Sequence, residues 1–183
     1  MIEEKTAGIL LQAIPYLGQK RILKILTPEE GLLSFIAQRS IAPVFTTPFV
    51  YAEWVYKKNQ RELYPLNDAT LLDDLAALKQ TYAHVTAAGQ MAQDLLRTQL
   101  PNKSCPELFA LTLACFRKLP LFQDPNLLLA MFRLKLLSSE GLISELPTPL
   151  TELLHTKSFN ALAAQPNDPH ACHQAHLLFE EHF

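Results

Sequence analysis

The spacing of apolar residues changes once along the chain, near Thr70. Before that point, short apolar runs with alternating faces are separated by tight turns, the pattern of β-strands. Residues 5–17 set Ile9, Leu10, Leu11 and Ile14 among small residues, with Gly8 inside, where an isolated glycine predicts a bulge or a sharp bend. Residues 21–27 alternate, with Arg21, Leu23, Ile25 and Thr27 on one face and Ile22, Lys24 and Leu26 on the other. Pro28-Glu29-Glu30-Gly31 reads as a hairpin loop, because proline presets φ at the second position of the turn and glycine accepts a positive φ at its end. Residues 32–37 give a third strand. Residues 46–56, dense in aromatic and β-branched side chains, give a fourth, and residues 62–66 return as a fifth after a turn at Lys57-Lys58-Asn59-Gln60.

From Thr70 the apolar positions recur every three or four residues. Thr70-Leu71-Leu72-Asp73 has the form of a capping box, predicting a helix that runs through Leu78, Tyr82, Val85, Gly89, Ala92 and Leu96 and ends before Pro101. Ser104-Cys105-Pro106-Glu107 opens a second helix. Asp124-Pro125 opens a third, apolar on nearly every side except Arg133 and Lys135, which places it in the middle of a bundle. Thr148-Pro149 and Asp168-Pro169 begin two shorter helices. The pattern therefore predicts an α+β protein of two domains: residues 1–70 as a five-stranded barrel of the oligonucleotide-binding (OB-fold) type, and residues 71–183 as an all-α domain.

The 183 residues are 49% hydrophobic and 19% charged, enough for a sizeable core, with a net charge of −2. The charge is unevenly shared: residues 1–70 carry eight Lys and Arg against seven Asp and Glu, residues 71–183 eight against eleven, so a polyanion would favour the N-terminal half. Cys105, Cys115 and Cys172 form no CxxC pair, which fits free thiols in a reducing compartment. The stretch Met1-Ile2-Glu3-Glu4-Lys5 is acidic where a secretory signal would be basic, and charged residues or prolines interrupt every apolar run before ~20 residues. A cytoplasmic protein without a membrane span is expected. No G-x-S-x-G, Walker loop or H-E-x-x-H occurs, so neither an enzyme nor a cofactor is expected.

Three phrases in order resemble the N-terminus of the RecO family of bacterial DNA repair proteins. They are Lys5-Thr6-Ala7-Gly8-Ile9-Leu10-Leu11, Arg21-Ile22-Leu23-Lys24-Ile25-Leu26-Thr27, and residues 30–39 beginning Glu30-Gly31-Leu32-Leu33-Ser34. Residues 129–142, ending at Gly141-Leu142, are similar to that family's R-x-F-E-x-x-L-L-x-x-L-G-Y segment. The resemblance implies a recombination mediator with no catalytic residues. Such a protein binds single-stranded and duplex DNA, anneals strands, docks on the C-terminal tail of single-strand-binding protein and works with RecR to load recombinase. Two departures stand out. Gln38-Arg39-Ser40-Ile41-Ala42-Pro43 replaces a longer basic run, and Gly141-Leu142-Ile143-Ser144-Glu145 lacks the cysteines of the family's zinc site, so no metal is expected there. With the low pI of about 6.3, the trimmed loop also suits a second class of function, a protein-interaction adaptor with little DNA affinity.

The cations Lys20, Arg21, Lys24 and Arg39 on or beside the second and third strands, with Lys57, Lys58 and Arg61 at the turn after the fourth, are candidate DNA contacts, and Phe35 is a candidate stacking partner for a base, with Phe45, Phe49 and Tyr51 near it. Solvated turn lysines and barrel-filling aromatics are the alternative. Arg133 and Lys135 are candidates for receiving the acidic tail, or else Arg133 pairs internally with an acid such as Asp94 or Glu107. His170, Cys172, His173 and His176 lie close enough on one helix for a metal clip, or are a histidine-rich helix surface.

Overall fold

The computed structural model describes residues 2–143 and 145–183. Met1 and Ser144, which entered the readings of the N-terminal stretch and of residues 141–145, lie outside the described residues. Among the described residues, five strands precede six α-helices. The strands are β1 (Ile2–Tyr16), β2 (Lys20–Thr27), β3 (Gly31–Ala37), β4 (Tyr51–Lys58) and β5 (Leu63–Asp73). They close into a barrel in the order β1-β2-β3-β5-β4, with β3 and β5 parallel and the other neighbours antiparallel. The expected α+β architecture, a five-stranded barrel followed by helices, is the one observed.

The alternation read from the sequence fills the barrel. Leu23 and Ile25 of β2 point inward beside Leu33 and Phe35 of β3 and Trp54 and Tyr56 of β4, all nearly or fully buried. Ile41, Val44 and Phe45 pack against this core from the connection between β3 and β4. The Trp54 indole N–H donates to the Gly8 carbonyl at 3.0 Å, so the largest core side chain leaves no orphan donor. Gly8 serves this close packing: a Cβ there would stand 2.5 Å from the Ile25 side chain and 2.9 Å from the Leu26 carbonyl. The bulge of β1 falls further on, between Leu10 and Gln12.

Two expectations give way. The strand predicted over residues 46–56 starts only at Tyr51, because Pro43–Thr46 forms a 3-10 turn and Phe49 takes a positive φ of 63° that no ladder accommodates. The helix predicted from Thr70 is strand instead: β5 runs on to Asp73, pairing Thr70 with Glu53 and Asp73 with Tyr51. A capping box stabilises a helix only if the turns after it form, and a ready antiparallel partner competes successfully for those backbone groups. The first helix follows a 3-10 turn at Ala76–Gln80.

The helices are α1 (Tyr82–Thr98), α2 (Pro106–Lys118), α3 (Asn126–Ser139), α4 (Thr148–His155), α5 (Phe159–Ala163) and α6 (Pro169–His182). The chain divides into two compact units. One takes in residues up to Ala76 together with Gln99–Ala110, the other Ala77–Thr98 and Leu111–Phe183. In the second unit α3 is the central element, buried along nearly its whole length among α1, α4, α5 and α6, as its all-round apolar sequence requires. Asp168 caps α6, its carboxylate accepting from the His170 and Ala171 amides. The short α5, capped by Ser158, has no counterpart in the apolar pattern.

Candidate nucleic-acid interface

Register decides which cations meet. Pro15 stands opposite Arg21 and Tyr16 opposite Lys20 at the end of the β1–β2 hairpin, and Arg21 stands opposite Ala37 of β3. Arg39 follows Ala37 two residues on. Lys20, Arg21 and Arg39 therefore converge on one cleft of about 390 Å³, lined also by Gly18, Gln19 and Gln38, with no carboxylate among the described lining residues. All three side chains are exposed and none pairs with an acid among the described residues. Lys24 and Arg61 line a second cleft of about 220 Å³ with Ser34, Asn59, Tyr64 and one carboxylate, Glu62. The Lys24 ammonium donates to the Ser34 hydroxyl at 2.8 Å, and the Asn59 side chain accepts from the Arg61 amide at 2.6 Å, shaping the turn that carries Arg61. Five of the seven cations singled out thus sit around the faces and loops of β2 and β3, where barrels of this type hold an oligonucleotide.

The other candidates are placed elsewhere. Lys57 is exposed on β4 opposite Glu3 of β1, away from both clefts. Lys58 is tied into a network inside the barrel unit: its ammonium lies 2.7 Å from Glu30 and 3.3 Å from Glu4, and the Tyr56 hydroxyl, 2.8 Å from Glu30 and 3.1 Å from Glu4, has its one proton to share between the two carboxylates. Hydrogen bonding to Glu30 holds the Lys58 pKa above the usual lysine value, so this cation ties β4 to β1 and the β2–β3 hairpin rather than awaiting phosphate. Phe35 is fully buried, its ring 4.8 Å from that of Tyr56, and offers no face to a base. Phe49 is likewise buried, half-buried Phe45 packs edge-on against Trp54, and Tyr51 packs on Phe109. The exposed aromatic of this region is Tyr16, whose position opposite Lys20 is set by register and has no signature in the sequence.

In the helical unit Arg133 is an internal partner. Its guanidinium lies against Asp94 of α1 at 2.7 and 3.2 Å, side by side, with the Phe179 ring 4.9 Å beneath and His176 Nδ1 accepting at 3.2 Å. Burial of an arginine on an apolar helix is met here by a carboxylate that is itself buried, which removes Arg133 from the candidates for tail binding. Lys135, two residues on and so on the opposite side of α3, donates to the Leu154 carbonyl at 2.8 Å. Burial pulls its pKa below the usual lysine value. It opens on a largely apolar cleft of about 220 Å³ with Leu111, Met131, Lys157 and Phe159. Cys172 is buried with its thiol donating to the Asn167 side-chain oxygen at 3.4 Å, and His176 is engaged by Arg133, so these two members of the histidine-rich segment have other partners. Among the described residues no three His, Cys, Asp or Glu side chains converge as a metal site, and no helix is long and apolar enough to cross a membrane.

A closed β1-β2-β3-β5-β4 barrel with cations gathered beside β2 and β3, followed by helices, defines an OB-fold protein with an added helical unit. The family model described as Recombination protein O N terminal matches residues 1–75. DNA repair protein RecO of Chlamydia pneumoniae is 30% identical over 182 residues, covering 96% of this chain and 67% of the relative. RecO of Chlamydia trachomatis serovar D is 32% identical over 139 residues, covering 73% and 57%, and that of Prosthecochloris aestuarii 27% over 149 residues, covering 78% and 56%. The chain belongs to the RecO family. It spans between 56% and 67% of the length of these three relatives.

Proposed function

We propose that this chain serves DNA repair and recombination as a non-catalytic cytoplasmic mediator that holds single-stranded DNA on the barrel. The observation that carries the reading is the gathering of Lys20, Arg21 and Arg39, exposed and unpaired among the described residues, on one cleft without a carboxylate. Phosphates neutralised there would release counterions, and Lys24 and Arg61 place two further cations past Ser34, with Glu62 beside them. Family membership extends the proposal to annealing of complementary strands and to action with RecR in loading recombinase. The acidic tail of single-strand-binding protein is assigned to the cleft of Lys135 and Lys157, where two ammonium groups flank Leu111, Met131 and Phe159 and could take a carboxylate together with an apolar side chain.

The test is a salt titration of oligonucleotide binding. Wild-type protein is expected to bind a single strand with affinity that falls linearly on a log–log scale. Changing Lys20, Arg21 and Arg39 together to Ala should weaken binding to every sequence alike and flatten the slope by about 2, at ~0.7 for each phosphate no longer neutralised. No complex at low salt would instead favour the adaptor reading, in which only protein partners are bound.

A further inference from the structure

The outward face of the barrel carries a pattern that the cations alone do not explain. With Leu23 and Ile25 turned into the core, Ile22 and Lys24 of β2 face outward. Register carries this face across three strands. Ile14, Ile22 and Ile36 stand directly opposite one another on β1, β2 and β3. On one side of this apolar row Tyr16 stands opposite Lys20. On the other, Gln12, Lys24 and Ser34 form the next row. Lys20 and Lys24 therefore bracket an aliphatic strip, about 13 Å apart along β2 at ~3.3 Å per residue. Ile14 is 37% and Tyr16 38% exposed, and Leu17 at the hairpin tip is 73% exposed.

We infer that this strip, Tyr16 with Ile14, Ile22 and Ile36, is the surface on which unpaired bases of single-stranded DNA lie, while Lys20 and Lys24 take the flanking phosphates. The inference rests on the DNA-binding reading above and adds what that reading leaves open, namely which side chains meet bases. The surrounding charge selects the occupant. Lys20 and Lys24, on the same outward face and flanking the strip, suit a polyanion that also presents flat apolar faces, and a single strand offers both. In a duplex the base faces are stacked on one another, so the strip would gain nothing and only the phosphate contacts would remain. The strip is thus a device for preferring unpaired over paired DNA, and Tyr16 its stacking element.

The experiment measures affinity of the full chain, at fixed low salt, for three fluorescent probes of equal length: oligothymidine, an abasic oligonucleotide and a blunt duplex. Wild-type protein is expected to bind oligothymidine at least about fivefold more tightly than the abasic strand, in line with base–aromatic stacking. Tyr16→Ala should lose most of that ratio with an unchanged salt slope, Tyr16→Phe should keep it, and Ile14→Gln should reduce it. Far-ultraviolet dichroism of each variant confirms that the barrel is intact. Equal affinity of the wild type for oligothymidine and the abasic strand overturns the inference while leaving phosphate binding standing. So does a ratio untouched by Tyr16→Ala. Failure of the wild type to bind any probe overturns the DNA-binding reading and this inference together.

Discussion

Arg133 shows what a single residue can and cannot disclose. A cation in an apolar helix announces that it needs a partner, and the sequence narrows the choice to a few acids. Which one is used depends on a contact between residues 39 apart in the chain, and no periodicity reaches that far. The pair with Asp94 is buried on both sides, so removing one member strands the other charge. Arg133→Ala is expected to cost ~3–5 kcal/mol of stability, read as a lower denaturant midpoint. Adding Asp94→Ala should recover part of that loss, because the orphaned carboxylate goes too. Affinity for the acidic tail peptide should be nearly unchanged in the double variant and reduced in Lys135→Ala. A variant that keeps the wild-type midpoint yet loses the peptide would return Arg133 to the ligand. Phe35 carries the same lesson in reverse. Its position in β3 is legible in the sequence, but its face is ambiguous until strand pairing fixes which side of the sheet is core, and Tyr16 gains its role by the same step.

At the scale of elements, turns and short strands are the most legible part of the fold, because their signals are local. The β2–β3 hairpin follows from proline and glycine at its corners, and β2 from an alternation that holds up to Ile25 and gives way to a fully buried end at Leu26 and Thr27. The end of β5 is misread from sequence since its decisive interaction, pairing with β4, lies outside the segment. A second long-range feature is invisible for that reason. Gly31 bridges to Pro101, the Asn102 amide donates to the Glu30 carbonyl and the Cys105 amide to the Pro28 carbonyl. Residues 101–105 thus strap the hairpin. Two glycines separate this effect from ordinary turn strain. Gly18 and Gly31 both have positive φ, 68° and 63°, but a Cβ at Gly18 meets nothing within 4 Å, whereas one at Gly31 would lie 2.5 Å from the Lys103 carbonyl oxygen and 2.9 Å from that of Leu100. Gly18→Ala should cost ~1–2 kcal/mol, the left-handed penalty alone. Gly31→Ala should cost clearly more, since backbone must shift to admit the methyl group. Equal denaturant midpoints for the two variants would mean the strap yields without resistance.

Over the whole molecule, the order of elements along the chain is not the order of its compact units. A reader of the sequence places the end of the barrel where the period changes, and the family match ends close by, at residue 75. Yet the barrel unit also takes in Gln99–Ala110, after α1 has been completed. The returning segment is held by more than chain connectivity. Besides the backbone bonds to the hairpin, the Ser104 hydroxyl donates to the Pro28 carbonyl, and the Phe109 and Tyr51 rings pack with centroids 6.0 Å apart. An amide held in this way exchanges with solvent only when the structure around its acceptor opens. The Asn102 and Cys105 amides should therefore exchange together with those of β2 and β3, although a loop between two helices would ordinarily exchange within the dead time. Leu23→Ala offers the control. It removes a fully buried side chain from the barrel core and should cost ~2–5 kcal/mol. Protection at Asn102 and Cys105 should then fall in step with that of the β2 and β3 amides, as one cooperative unit. Rapid exchange at these two amides in the wild type, or protection that ignores Leu23→Ala, would detach the segment from the barrel and restore a boundary at the change of period.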